Sequence, residues 1–167
     1  MKQKTITLYN YEELSEKAKA KALRDWNETN DNPYMQSHMI NLVKEELEDR
    51  GIKYDVDSMD VRYSLSYCQG DGFMFIGKIM WRDQEIEILH SRGNDYHKNS
   101  AVFSYDEEAL TPAEFGQFQA VYEAICDKME QTGYDEIEYQ QSEESFQQVC
   151  EANEWTFRED GTLELDN

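Results

Sequence analysis

Residues 59–81 read MDVRYSLSYCQGDGFMFIGKIMW and carry the clearest structural pattern in the chain. Apolar and aromatic side chains alternate with polar ones over 59–68, and this period of two is typical of a half-buried strand. The turn residues QGDG at 69–72 come next, and they lead into a second run, 73–81, that is apolar on both parities. Two such runs joined by an Asp-Gly turn predict a β-hairpin.

Further strands are predicted on both sides of this hairpin. Alternating apolar and polar residues recur at 52–56 before it, and at 85–90 and 96–105 after it. Because consecutive strands joined by short turns usually pair with their neighbours, these segments predict an antiparallel meander. A short edge strand at 2–9 and a small terminal hairpin over 155–165 are also expected.

Two helices are predicted before the sheet. The first follows a capping residue, Asn10 or Ser15, and repeats small and apolar residues at four-residue spacing. The second has Pro33 at its first helical position and ends at Gly51, since glycine commonly stops helices. The lysines of the first helix are expected to form a solvated face with ion pairs along the helix.

Two more helices are predicted after the sheet. Thr111 and Glu114 have the spacing of a capping box, with Pro112 between them, which is a favourable helix start. The apolar stripe that follows is expected to end at Gly133. An acidic connector at 134–144 then leads into a shorter fourth helix.

These elements together predict an α+β fold, with helices packed on one face of a four- to five-stranded antiparallel meander. We expect a single domain over 1–167. Within it, an N-terminal helical pair would occupy 10–51, the sheet 52–105, and the acidic C-terminal helices and hairpin 111–167.

The net charge of -20 is the main compositional feature, and it is unevenly distributed. Residues 1–98 contain 14 Lys and Arg against 18 Asp and Glu, a net charge of -4. Residues 99–167 contain 2 against 18, a net charge of -16. This excludes ordinary nucleic-acid binding and disfavours anionic membranes, because both require a basic surface. Either self-repulsion that keeps the protein soluble or an acidic face for a basic partner explains such a charge.

The cysteine content indicates a reducing compartment. The three cysteines form no CxxC pair and leave an odd count, which does not suit a disulfide scaffold. The chain has no N-terminal apolar signal segment and no apolar run near the roughly 18 residues that cross a bilayer. We therefore expect a cytoplasmic protein.

Four segments carry motifs that occur in the same order elsewhere. Residues 14–22 read LSEKAKAKA, 67–75 read YCQGDGFMF, 96–100 read YHKNS, and 152–161 read ANEWTFREDG. These segments resemble motifs of a widespread, uncharacterised family of small phage and prophage proteins. The first is similar to the family's LSEEAKEKA helix, and the second to its strand that ends in SQGDG. The third is similar to its Y-H-x-N-S segment, and the fourth to its usual ending.

The chain departs from this family at two positions. Cys68 stands where serine is usual, and Phe73 stands where a small residue is usual. The resemblance implies a phage setting and a host-cell location, and it implies no particular reaction.

One candidate site lies at the end of the predicted meander where two turns meet. The turn after Cys68 and the turn after His90 should lie at the same end of the sheet, because strands reverse at both. Glycines there would let backbone N–H groups approach an anion, and a histidine could exchange protons near neutral pH. The polar residues around the two turns include His90 and Arg92. The predicted small-ligand or nucleotide site itself consists of Gln69, Gly70, Asp71, Gly72, His97 and Asn99. The alternative is that they only shape turns.

No catalytic residue, cofactor or metal is predicted. A hydrolase using Asp71 and His97, or a Cys68–His97 nucleophile and base, is a third alternative, but a buried strand cysteine is the commoner outcome. No P-loop, GxSxG, HExxH or dinucleotide motif is present. An aspartate-rich stretch at 55–60 lacks the glycine and the closing glutamate of a calcium loop.

The leading hypothesis concerns the acidic C-terminal residues. Duplex DNA presents one negative charge per about 1.7 Å of axis, and carboxylates along a helix can imitate that spacing. We therefore expect a phage-type acidic protein that inhibits a basic, nucleic-acid-handling host protein, by analogy with inhibitors of restriction or CRISPR defence. The predicted contact residues are Glu123, Asp127, Glu130, Asp135, Glu136, Glu138, Glu143 and Glu144.

Overall fold

The computed structural model describes residues 1–30, 32–91 and 96–165. The chain forms two compact units. Unit 1 consists of residues 1–32 together with 135–167, and unit 2 consists of residues 33–134. The two helices predicted at 10–51 are thus divided between the units, one in each.

The sheet of unit 2 is antiparallel, as predicted. Its strands are β1 (Lys53–Tyr54), β2 (Asp60–Ser64), β3 (Gly72–Trp81), β4 (Gln84–His90) and β5 (Ala101–Ser104). β1 and β2 pair with successive parts of β3, β3 pairs with β4, and β4 pairs with β5. Every pairing is antiparallel. The α+β class and the five-stranded meander are therefore confirmed.

Two helices belong wholly or mainly to unit 2: α2 (Met35–Asp49) and α3 (Pro112–Gln140). The capping box at the start of α3 forms as predicted, because Thr111 N donates to Glu114 Oε1 at 3.1 Å and Glu114 N donates to Thr111 Oγ1 at 3.2 Å. Gly51 follows α2 with φ +71, which is the left-handed conformation expected of a helix stop.

Helix α3 packs on one face of the sheet through a buried aromatic contact. The Tyr122 hydroxyl donates to Phe75 O at 2.9 Å and accepts from Phe75 N at 3.2 Å. Phe103 of β5 meets the Tyr122 ring edge-on, at 5.1 Å between centroids. The opposite face of the sheet is partly exposed, with Leu89 at 42% and its cross-strand neighbour Val102 at 49%.

The predicted end of α3 at Gly133 is wrong, since the helix continues to Gln140. A Cβ atom at Gly133 would overlap Leu65 Cδ1. This glycine therefore leaves room for the Leu65 side chain within unit 2, and it does not end the helix. The segment 134–144, which was predicted as a connector, is mostly helical, because α3 extends to Gln140 and α4 begins at Glu143.

Unit 1 is built from two helices and a small hairpin. They are α1 (Glu16–Thr29), α4 (Glu143–Ala152), β6 (Thr156–Phe157) and β7 (Leu163–Glu164). Ser15 caps α1 by accepting from Ala18 N at 3.2 Å. Ala18 and Ala22 of α1 share a core with Phe146 and Phe157. The predicted cap and terminal hairpin are both present.

Three further sequence predictions differ from the structure. Residues 1–8 are described and form no strand, and Tyr9 alone bridges Phe157. Pro33 precedes the first residue of α2 by two positions. Strand β2 ends at Ser64, so that a loop over 65–71 replaces the predicted tight Asp-Gly turn. Within this loop, Asp71 accepts hydrogen bonds from the backbone N–H groups of Ser66, Tyr67 and Cys68.

Candidate functional site

The two predicted loops do meet at one end of the sheet. A Cβ atom on Gly72, at the start of β3, would lie 2.6 Å from Tyr96 O and 2.8 Å from His97 Cδ2. The His90 and Tyr96 rings lie 5.4 Å apart between centroids. The meander thus brings QGDG and YHKNS together, as expected from strand reversal. Arg92, which was predicted to join them, lies outside the described residues.

The Asp71 carboxylate binds its own loop. Oδ1 accepts from Ser66 N at 3.0 Å and from Ser66 Oγ at 3.1 Å, while Oδ2 accepts from Tyr67 N at 2.7 Å. The Tyr134 hydroxyl of α3 also donates to Oδ2. Tyr67 has φ 61, a left-handed conformation that these hydrogen bonds stabilise. A ligand at Asp71 would have to displace several of these donors.

Hydrogen bonding shifts the pKa values of both Asp71 and Tyr134. Burial alone would raise the pKa of the Asp71 carboxyl, but donation from Tyr134, Ser66, Cys68 and Tyr67 outweighs burial and holds the pKa well below its ordinary 3.8. Hydrogen bonding to Asp71, followed by burial, raises the pKa of Tyr134 above its ordinary value. Sequence reasoning missed Tyr134, because nothing in the local pattern links it to a residue in another element.

The remaining members of the predicted ligand site have local roles or are exposed. His97 Nδ1 accepts from Asn99 N at 3.1 Å and caps a short 3-10 turn before β5. Gln69 and Gly70 are exposed, and neither Gly70 nor Gly72 has positive φ. The approach of an anion to the N–H groups of these glycines stays a prediction.

Cys68 differs from the buried strand cysteine that was expected. It is exposed in the 65–71 loop, where its thiol lies 3.4 Å from Asp71 Oδ1 and 3.2 Å from Ser66 Oγ. Cys126 and Cys150 are buried. The described contacts of Asp71, His97 and Cys68 are thus all with other residues of the chain, and the ligand and hydrolase alternatives gain no support from them.

We expect Asp71→Asn to loosen the 65–71 loop while leaving the sheet intact, because the amide cannot accept as many hydrogen bonds as the carboxylate. Hydrogen exchange at Ser66 and Tyr67 should accelerate about tenfold or more, because the N–H groups of both residues lose their carboxylate acceptor. Asp83→Asn, which removes an exposed carboxylate from the β3–β4 turn, is the matched control.

The pH dependence of this exchange has a definite sign. Because the folded pKa of Asp71 lies below 3.8, its contribution to loop stability is complete above about pH 4 and is lost only as pH falls further. Protection that declined between pH 7 and pH 5 would contradict this role for the carboxylate.

The predicted acidic contact residues fall in both units. Glu123, Asp127 and Glu130 lie on the part of α3 within unit 2. Asp127 accepts from Lys98 Nζ at 2.9 and 3.0 Å, so one of the three charges is compensated. The remaining five predicted residues lie in unit 1, in what we call the acidic segment, residues 135–144.

The acidic segment carries five carboxylates. Tyr11 OH donates to Glu143 at 3.2 Å, and Gln140 Nε2 donates to Glu136 at 2.8 Å. Within the described ranges, Glu136, Glu138, Glu143 and Glu144 form no ion pair. The donors to Glu136 and Glu143 are neutral, so these hydrogen bonds leave the negative charge of both residues in place.

The two folded units carry the same net charge, although the two parts of the sequence, 1–98 and 99–167, do not. Unit 1 contains 7 Lys and Arg against 17 Asp and Glu, and unit 2 contains 9 against 19, so each carries a net charge of -10. The sequence asymmetry disappears because α1 and its lysines fold with the C-terminal residues. Two of these lysines form ion pairs along α1, Lys19 with Glu16 at 3.9 Å and Lys21 with Asp25 at 3.0 Å.

The chain offers no metal site or membrane span among its described residues. No group of three or more His, Cys, Asp or Glu side chains there is arranged to hold a metal ion. None of the described helices combines the length and apolar character needed to cross a bilayer.

Comparisons with known proteins add no assignment. No protein-family model matches the chain, and no curated protein or solved structure matches it. The similarity to small phage proteins therefore stays a prediction from the four motifs quoted above.

Proposed function

We propose that this protein is an acidic binding protein that occupies the basic surface of a nucleic-acid-handling partner. One observation carries the proposal: the acidic segment presents five carboxylates within residues 135–144, and no Lys or Arg occurs between Lys128 and Arg158. Glu138, Glu143 and Glu144 are exposed. Glu136, Glu138, Glu143 and Glu144 of this cluster form no ion pair with a described residue, and such carboxylates attract basic surfaces at long range and raise association rates.

The position of the acidic residues on α3 supports a role outside folding. Glu136 and Glu138 lie in the last turns of α3, which has no basic residue in its last turn. The C-terminal end of a helix carries partial negative charge, so carboxylates there cost roughly 0.3–1 kcal/mol each. Stability alone would favour lysine at these positions. By contrast, Glu143 and Glu144 lie in the first turn of α4, where acidic residues are favourable.

The proposed partner is a basic protein that normally binds DNA or RNA, because its surface is adapted to a regular array of negative charges. The phage-protein resemblance supports a host defence protein as that partner, with inhibition by DNA mimicry as the mode of action. No enzymatic step is part of the proposal.

The test is capture of basic proteins from a nuclease-treated bacterial lysate at low and high salt. Replacing Glu136, Glu138, Glu143 and Glu144 with glutamine should reduce capture about tenfold at low salt and flatten its salt dependence. Each exposed ion pair contributes roughly 0.2–1 kcal/mol, so four together supply about one decade. A duplex oligonucleotide should displace the captured protein if the partner's nucleic-acid surface is the contact.

The matched control removes four exposed carboxylates elsewhere, at Glu28, Glu45, Glu107 and Glu108. Both variants have the same net charge, so a difference between them reports position and not total charge. Equal capture by the two variants would contradict the proposal. A separate variant of Glu123, Asp127 and Glu130 tests the unit 2 residues independently.

A further inference from the structure

Unit 1 contains a cavity that joins carboxylates with aromatic walls. Its volume is about 280 Å³, and its lining includes Tyr11, Trp155, Glu12, Glu151 and Glu154. Glu151 and Glu154 are exposed and form no ion pair with a described residue. Tyr11 is only 4% exposed, and Lys19 Nζ already lies 5.8 Å from its ring centroid, so the half-buried Trp155 is the aromatic surface that a ligand could contact. An aromatic ring beside carboxylates provides the surroundings that organic cations prefer, because the ring quadrupole and the negative charges both attract them.

A second cavity of unit 1 shares Trp155 with the first. Its volume is about 260 Å³, and it is lined mainly by apolar groups, among them Trp26, Phe146, Phe157 and Leu163. Trp26 meets Trp155 edge-on, with 5.5 Å between ring centroids. An anionic cavity and an apolar cavity therefore share one lining residue, Trp155.

The size and chemistry of the two cavities restrict their occupant. Both are smaller than the roughly 300–1,000 Å³ of pockets for drug-sized ligands, so each suits a single side chain. A guanidinium fits the first better than an ammonium, since it is planar, stacks on aromatic rings and pairs with carboxylates through several N–H groups. A neighbouring aliphatic side chain fits the second.

We propose that unit 1 binds an extended basic segment of a protein partner, with an arginine in the cavity of Tyr11, Trp155, Glu151 and Glu154 and an adjacent apolar residue in the cavity of Trp26 and Phe146. The inference rests on the proposed function, because it names how a basic partner would be anchored. Charge complementarity selects the partner: the first cavity is anionic, and its unit carries a net charge of -10.

The test is a titration of the whole protein with the N-acetyl, C-amide tripeptide Arg-Leu-Arg at near-physiological salt, followed by NMR of the tryptophan indole N–H signals. Trp155 should shift saturably. Trp81, whose indole donates to Glu114 O at 3.1 Å in unit 2, should not shift. Citrulline in place of both arginines should weaken binding at least tenfold, and alanine in place of leucine about fivefold.

Two charge-matched double variants distinguish binding by the cavity carboxylates from attraction to the total negative charge of the protein. Glu151→Gln with Glu154→Gln should weaken Arg-Leu-Arg binding at least fivefold. Glu107→Gln with Glu108→Gln removes the same charge from exposed positions of unit 2 and should change it less than twofold. Equal weakening by both pairs would overturn the proposal, and so would a Trp155 signal that does not shift.

Two further outcomes are informative. If N-acetyl-arginine amide alone binds as tightly as Arg-Leu-Arg, the cavity is a small-molecule guanidinium site and the peptide assignment is overturned. The tests of the two proposals fail separately, because these variants leave every carboxylate of the acidic segment in place. Loss of peptide binding with lysate capture retained would leave the proposed function standing.

Discussion

Gly161→Ala is expected to destabilise the protein by roughly 2–5 kcal/mol and to lower the melting temperature by about 5–15 °C. Gly161 has φ +94, a conformation that residues with a Cβ atom rarely adopt. An added Cβ atom would also overlap the Ala18 carbonyl oxygen of α1. That oxygen belongs to helix backbone beside a side chain only 3% exposed, so it cannot move aside without displacing α1 from its core.

Thermal unfolding followed by circular dichroism measures this effect, and Gly116→Ala is the control. Gly116 is an exposed residue of α3 with no neighbouring atom within 4 Å of the added Cβ. Alanine there should stabilise the protein by up to about 1 kcal/mol, because it has the higher helix propensity. A Gly161→Ala protein that melts at or above the wild-type temperature would show that the β6–β7 turn is not packed on α1.

Tyr122→Phe is expected to cost about 2–3 kcal/mol, or roughly 5–10 °C in melting temperature. The hydroxyl satisfies both the N–H and the carbonyl of Phe75 in the buried centre of the sheet. The β3–β4 pairing begins at Gly77 and Ile88, so Phe75 lies just beyond it. Burial also raises the pKa of Tyr122 well above its ordinary value, so the hydroxyl stays protonated and able to donate.

Chemical denaturation of Tyr122→Phe and Tyr139→Phe tests this prediction. Tyr139 is 42% exposed, and its hydroxyl donates to Gln148 Oε1 at 3.2 Å near solvent. Loss of the Tyr139 hydroxyl should change the free energy of unfolding by less than about 0.5 kcal/mol, because water replaces it as the hydrogen-bond partner of Gln148. Equal effects of the two substitutions would mean that the Phe75 backbone groups find other partners.

Local signals in the sequence predicted most elements of this fold. The capping box of Thr111 and Glu114, the cap at Ser15 and the stop at Gly51 involve residues within one helical turn of each other, so the chemistry is visible in a short window. The period of two over 59–68 located β2 for the same reason, although β2 is shorter than the pattern.

Glycine illustrates the limit of this reasoning. Gly51 and Gly133 both follow an apolar helical stripe, and both were expected to stop a helix. Gly133 instead accommodates Leu65, from the loop before β3. Only the packed structure distinguishes a glycine needed for its backbone conformation from one needed for its lack of a side chain.

At the candidate site, the sequence predicted which loops meet but not which way their side chains point. The meander predicted that the 69–72 turn and the 96–100 segment would meet, and they do, since strand reversal follows from pairing order. The direction of each side chain did not follow, because Asp71 binds donors from its own loop and from Tyr134.

Composition and local pattern were therefore sufficient for the α+β class, the antiparallel meander and the total charge of -20. They did not predict how that charge is distributed in the folded protein, because α1 folds with the C-terminal residues and each unit carries a net charge of -10. The cavities beside Trp155 also required the folded chain, since their walls come from α1, α4 and the segments that flank them. Contacts between distant residues depend on how complementary surfaces pack, and a short stretch of sequence contains only one of those surfaces.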